Sequence, residues 1–225
     1  MIFAILALIM SAVVHEYSHG WMAFKLGDTT AKDMGRLTLN PIKHLDLFGS
    51  IILPTLLVLS SSTFFIAWAK PVPFNPYRLS DLKFGPLKVA LAGPFSNFVM
   101  AVIFGLLARG LAIPAHTKVE LTVNFLSGQH DLLLSMMGGN FVYTIFVMFV
   151  IVVFVNLALM IFNLVPIPPL DGSKIIYTFL PNNLKEWFYR VERYSLFILI
   201  LLIVLGFFSF IIPLILGIFG LIVGI

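Results

Sequence analysis

The stretch His15-Glu16-Tyr17-Ser18-His19 places two imidazoles and a carboxylate inside Ile2–Leu26, an apolar run long enough to cross a bilayer as one helix. Helical residues four apart lie one above the other. His15 and His19 can therefore bind one metal ion with Glu16 beside them, the H-E-x-x-H arrangement. Zinc suits this set, because neutral imidazole is a good ligand and the ion lowers the pKa of a bound water toward neutrality, where Glu16 can take its proton. The bland alternative is a structural helix whose histidines only hydrogen-bond their neighbours. Three ionisable groups so close together in a span carry a cost that such a helix has no reason to bear. Ser11, His15, His19 and Ala23 also recur every four residues, so a second helix can approach closely along this ridge.

The whole chain has the same apolar character. Of its 225 residues 60% are hydrophobic and 11% charged, and the mean hydropathy is +1.05, which is a polytopic membrane protein rather than a soluble domain. The net charge of +4 comes from Lys and Arg between apolar runs, which orients a membrane protein and gives no reason to invoke nucleic acid. With no cysteine, disulfides and thiolate ligands are excluded. Met1–Val14 lacks a basic n-region and runs straight into the histidines, so it reads as half of a span and not as a signal peptide. No repeat or soluble module is visible, and residues 1–225 are expected to form one integral-membrane domain.

Gly27-Asp28 ends the first helix. Thr29–Asn40 mixes polar and apolar residues, and Arg36-Leu37-Thr38-Leu39 alternates before Pro41, which predicts a short strand or hairpin near the histidines whose free edge could take an extended substrate. Leu47–Ala67 is apolar but broken by Pro54 and Ser60–Ser62, and is expected to be a re-entrant helix. Ala69–Phe84 is basic and proline-rich, a cytoplasmic loop. Leu87–Ile113 is a clear span with a small-residue ridge of Gly93, Asn97, Ala101 and Gly105, in which Asn97 is either a packing residue or a support for the site. Pro114–Gly139 reads as an outside loop, with His116 and His130 as ordinary loop histidines. Phe141–Leu164 spans again and runs into Val165–Gly172, whose three prolines force an extended backbone at membrane depth, tolerated only where it lines a cavity. Asn183–Arg193, with Lys185, Arg190, Arg193 and Trp187, suits a helix lying on the cytoplasmic face. Ser195–Ile225 is longer than one span needs and should break at Pro213. The fold class is all-α with about four to six membrane segments and a re-entrant hairpin or strand near the site.

His15-Glu16-x-x-His19, Gly93-Pro94-x-x-Asn97 and Asn163-x7-Asp171-Gly172 together resemble the site-2 protease family of intramembrane zinc metalloproteases. Gly35-Arg36-x-x-x-Asn40-Pro41-x-x-His44 and Trp68-Ala69-Lys70-Pro71-Val72-Pro73 are similar to its small prokaryotic branch, without accessory domains. The resemblance implies one zinc ion held by His15, His19 and Asp171, Glu16 as general base, and Asn163 at the substrate or the developing oxyanion. Catalytic zinc wants three protein ligands and one open position, so a third ligand is needed in any case, and His44 and Asp46 are rivals to Asp171 for it. Asn163 has an alternative as a helix C-terminal residue bonding freed carbonyls.

Two functions compete. One is an intramembrane endopeptidase acting on transmembrane proteins, in a prokaryotic plasma membrane with its site toward the cytoplasm. The other is a metal transporter or channel, which needs ionisable groups spread along a path through the bilayer, whereas here they gather at one depth.

Overall fold

The computed structural model describes residues 2–46, 49, 52 and 69–225. In chain order its helices are α1 (Ile2–Lys25), α2 (Thr30–Asp33), α3 (Gly85–Gly110), α4 (Ala115–Leu126), α5 (His130–Met137), α6 (Phe141–Leu164), α7 (Asp171–Phe179), α8 (Asn182–Glu192), α9 (Ser195–Val204) and α10 (Ile211–Val223). Three of them, α1, α3 and α6, are each long and apolar enough to cross a membrane; α9 and the stretch Phe207–Val223 that contains α10 pass that test together, bent by 70° at the break between them. By length and composition the described residues therefore hold three candidate spans, or four if the bent pair is one. The re-entrant helix expected at 47–67 lies outside the described residues.

Hydrogen bonds fix how the spans run. His15 pairs with Asn97 and His19 with Val89, so α3 descends as α1 ascends; Asn156 on α6 meets Ser11, and the loop after Leu164 meets His15, so α6 runs with α1. The C-terminal ends of α1 and α6 and the N-terminal end of α3 thus share one face. Both small-residue ridges point inward: Ser11, His15, His19 and Ala23 on α1, and Gly93, Asn97, Ala101 and Gly105 on α3, are buried. Large side chains such as Phe95, Ile103 and Leu106 of α3 point outward, as lipid contact requires. The core around Phe146, Val150, Val153 and Leu157 of α6 is closed by Ile215, Phe219 and Val223 of α10.

A helix-interior glycine costs about 1 kcal/mol relative to alanine, so Gly105 needs a packing reason. A Cβ there would strike the Ile222 side chain of α10. Gly105→Val is expected to push α10 off the core and to cost about 1–3 kcal/mol in thermal unfolding, with metal content unchanged. An unaltered melting temperature would show that α10 does not depend on this contact.

The expected strand at Arg36–Leu39 is absent. Thr30–Asp33 is a helical turn started by Asp28, whose carboxylate accepts from the Thr30 N–H at 3.1 Å, and Gly35 ends it with φ +64°. Beyond it the backbone bonds locally, with Arg36 N–H to Ala31 O at 2.8 Å and Thr38 N–H to Arg36 O at 3.0 Å, so no ladder forms. The polar–apolar alternation does not become an inward–outward one, for Arg36 is buried, Leu37 and Thr38 are half-buried and Leu39 is exposed. Among the described residues the β pairing is one isolated antiparallel bridge, Leu45 to Ala69. It still brings the 36–45 and 69–75 segments together over the shared face, with Lys70 N–H donating to His44 O at 2.8 Å.

Candidate metal centre

His15, His19 and Asp171 converge, although Asp171 stands more than 150 residues along the chain from either histidine. Asp171 Oδ2 lies 3.1 Å from His15 Nε2 and 3.1 Å from His19 Nε2, and the two Nε2 atoms are 3.0 Å apart. All three residues are buried. The loop that delivers Asp171 explains Gly172: a Cβ there would collide with the carbonyl oxygens of Leu164 and Val165, so the turn closes only around glycine. Ser173 N–H and its hydroxyl both donate to Leu170 O, at 3.1 and 2.7 Å, which seats Asp171 at the start of α7.

The outer nitrogens decide the state of both rings. His19 Nδ1 donates to the Val89 carbonyl at 2.7 Å, and His15 Nδ1 donates to Asn97 Oδ1 at 2.6 Å. The orientation of Asn97 is set in turn, because its Nδ2 faces the Ser11 carbonyl at 3.4 Å and Asn156 Oδ1 at 2.8 Å. Asn156 completes the chain by donating to Val152 O at 2.8 Å and Ser11 Oγ at 2.9 Å. Each ring thus keeps its proton on Nδ1 and turns an Nε2 lone pair inward. Two lone pairs and a carboxylate facing one another repel, and a cation relieves that. Ligands bonded to zinc at about 2.0–2.1 Å in a tetrahedron stand about 3.3–3.4 Å apart, close to the triangle found here. Gly93 leaves the necessary space, since a Cβ on it would sit 2.6 Å from His15 Nε2 and closer still to His19 Nε2. The donor set and the space fit zinc.

Asn97 is fully buried with its side chain on the His15 ring, and Asn156, also fully buried and bonded to Asn97, is a residue that sequence reading missed. A polar side chain in the middle of α6 was a signal available for it. Partners that orient a metal-ligating histidine typically matter 10–100-fold for metal affinity, and Asn97→Leu is expected to weaken zinc binding by about that factor in a competition titration. Wild-type affinity in a correctly folded Asn97→Leu protein would remove Asn97 from this role.

The rivals for third ligand lie elsewhere. His44 is buried but donates Nε2 to Thr38 O at 2.8 Å, and Asp46 Oδ1 accepts from Gly49 N–H at 2.7 Å. His116 and His130 belong to α4 and the start of α5, tied by Lys118 to the far end of α3.

Beside the cluster is a cavity of about 140 Å³ lined by His15, Glu16, His19, Val72, Asn163 and Asp171 among others. Asn163 sits in this wall and also donates Nδ2 to its own helix, at Leu159 O, 2.9 Å. Lys174 reaches the same space, 3.8 Å from Asp171 Oδ1. Glu16 is half-buried, its Oε2 accepting from Val72 N–H at 2.9 Å. Asp28, just outside α1, is buried. Burial would raise its pKa, but hydrogen bonds from Thr30 and Asn75 and the nearby Arg78 charge hold it below the usual carboxylate value. Its stabilisation is therefore present at neutral pH and lost as pH falls through that depressed value.

The model of peptidase family M50 matches residues 3–206. The chain belongs to that family, the site-2 proteases. It is 34% identical over 202 residues to "Putative zinc metalloprotease YwhC" of Bacillus subtilis (strain 168), covering 90% of this chain and 80% of that one. It is 26% identical over 196 residues to "Putative zinc metalloprotease Rip2" of Mycolicibacterium smegmatis, covering 87% of this chain and 64% of the relative. The Rip2 of Mycobacterium tuberculosis (strain H37Rv) is 25% identical over 194 residues, with 86% and 63% covered. No solved structure matches the chain. This M50 chain is a zinc metalloprotease of the intramembrane class, and its three apolar helices are those of an integral membrane protein.

Proposed function

We propose that this M50 protease cleaves peptide bonds within or next to transmembrane segments of membrane proteins, using one zinc ion held by His15, His19 and Asp171. The observation that carries the reading is the meeting of two inward Nε2 lone pairs and a carboxylate beside Glu16, in a cavity between spans. Bound there, zinc supplies a Lewis acid that acidifies water and polarises the scissile carbonyl. Glu16 takes the proton as water attacks and delivers it to the leaving nitrogen. Asn163, which lines the cavity, hydrogen-bonds the substrate backbone or the developing oxyanion in this reading.

The helical state of the substrate matters as well. A peptide bond in a transmembrane helix is covered by the helix's own hydrogen bonds and side chains, so the turn that holds it must unwind before water can attack. Spans with Gly, Pro or Asn near the cut cost less to unwind and are expected to be cleaved faster.

Charge supports a cytoplasmic site in a prokaryotic plasma membrane. Of the 14 Lys and Arg, all but Arg109 and Lys118 fall on segments of the face that carries the cluster. The chain has no native cysteine, so Ser127→Cys should label from outside intact cells and Ser80→Cys only after permeabilisation.

The test of the activity uses purified protein in liposomes with single-span substrates, with chelator and with zinc restored. Cleavage should stop and return. Zinc flux across the liposome without cleavage of any substrate would favour the transporter reading instead.

A further inference from the structure

We propose that Val72 is a positioning residue that acts through its backbone N–H to aim the Glu16 carboxylate at the cavity, and that Arg36, Asp28 and Gly20 exist to hold that N–H in place. The inference rests on Glu16 being the general base. Val72 N–H donates to Glu16 Oε2 at 2.9 Å, which ties up one carboxylate oxygen and fixes the other relative to the imidazoles. Pro71 and Pro73 carry no N–H, so Val72 supplies the one backbone donor between Lys70 and Phe74. Standing before Pro73, it is also confined to an extended backbone.

Both sides of this strap are anchored by buried charges. The Arg36 guanidinium donates from Nη2 to Lys70 O at 2.8 Å and to Pro71 O at 3.3 Å. On the other side Asp28 Oδ2 accepts from Asn75 N–H at 2.6 Å. Arg36 is 8% exposed and Asp28 0%, so the anchors are held against solvent. Gly20 lies one turn beyond Glu16 on the same face of α1, and a Cβ on it would come within 2.8 Å of Val72 Cγ1. Only a residue without a side chain there lets the strap approach α1 closely enough for its N–H to reach Glu16. A donor fixed at so many points does not reorganise during proton transfer, which is what a base needs from its partner.

The test is an amide-to-ester exchange at residue 72, made by incorporating the α-hydroxy analogue of valine into the full chain in nanodiscs. It removes the N–H and keeps the side chain. The expected result is kcat lowered 10–100-fold, with KM and zinc stoichiometry unchanged. The same exchange at Ser80, whose N–H donates to Leu26 O at 2.7 Å away from the cavity, serves as a control for a lost structural hydrogen bond and should leave kcat unchanged. Arg36→Met provides a second route if the ester protein does not assemble; it should lower kcat 3–10-fold, again with KM and zinc unchanged. A wild-type kcat in the ester protein, a loss that falls on KM or zinc instead, or, where that protein is lost, a wild-type kcat in Arg36→Met would each overturn the proposal. Glu16→Gln separates the two readings. If it is inactive while the ester protein is normal, only the positioning role fails; if it is fully active, Glu16 is not the base.

Discussion

Glu16→Gln is expected to lower turnover by about 10²–10⁴-fold while zinc stays at the wild-type level, because a positioned base contributes on that scale and glutamine keeps the shape without the proton affinity. His15→Ala, His19→Ala and Asp171→Ala should lose the metal as well as activity. This division follows from the geometry. The two Nε2 atoms and Asp171 Oδ2 lie within 3.1 Å of one another, whereas Glu16 turns its Oε2 to Val72. Zinc content by mass spectrometry beside cleavage of a single-span substrate reads both quantities. Zinc retained in Asp171→Ala, or lost in Glu16→Gln, would reverse the assignment of roles.

The helical part of the site was legible because it obeys a local period. His15 and His19 share a helix face by spacing alone, and the small residues at every fourth position of α1 and α3 announce close packing before any coordinates. Asp171 was reachable only through the family resemblance, since no local rule connects it to His15 across so many residues. The misreading at Arg36–Leu39 has a definite cause. Alternation of polar and apolar residues marks a strand only when a partner strand takes the backbone bonds, and here Asp28 diverts the chain into a helical turn and Arg36 spends its side chain on the Lys70 and Pro71 carbonyls. The strap over Glu16 was invisible for a related reason. Lys70–Pro73 reads as a proline-rich loop, and that one of its amides meets a carboxylate on α1 is a tertiary fact.

Gly93→Ala is expected to yield a folded protein that binds zinc at least about 100-fold more weakly and has no measurable activity. A methyl group at residue 93 would stand 2.6 Å from both His15 Nε2 and His19 Cε1, closer than carbon can approach either ring, so the rings or α3 must shift. His19 cannot retreat without giving up Val89 O, and His15 cannot without breaking the buried chain through Asn97 and Asn156. Relief of the clash, by the rings or by α3, therefore breaks one of these bonds and takes the Nε2 atoms out of their triangle with Asp171, so the metal is lost. Alanine gains about 1 kcal/mol of helix propensity over glycine, against about 1–3 kcal/mol for overpacking, so the fold itself changes little. The distinguishing measurement is thermal unfolding with and without chelator. Chelator should lower the melting temperature of the wild-type protein, as removal of a ligand bound only to the native state must, and leave that of Gly93→Ala where it was. Gly110→Ala, at the far end of the same helix with nothing within 4 Å of the added carbon, controls for the propensity gain and should keep zinc and activity. A Gly93→Ala protein that bound zinc and cleaved substrate like the wild type would mean that α3 can move away from α1, and that the metal centre is not the tightly closed site its hydrogen bonds describe.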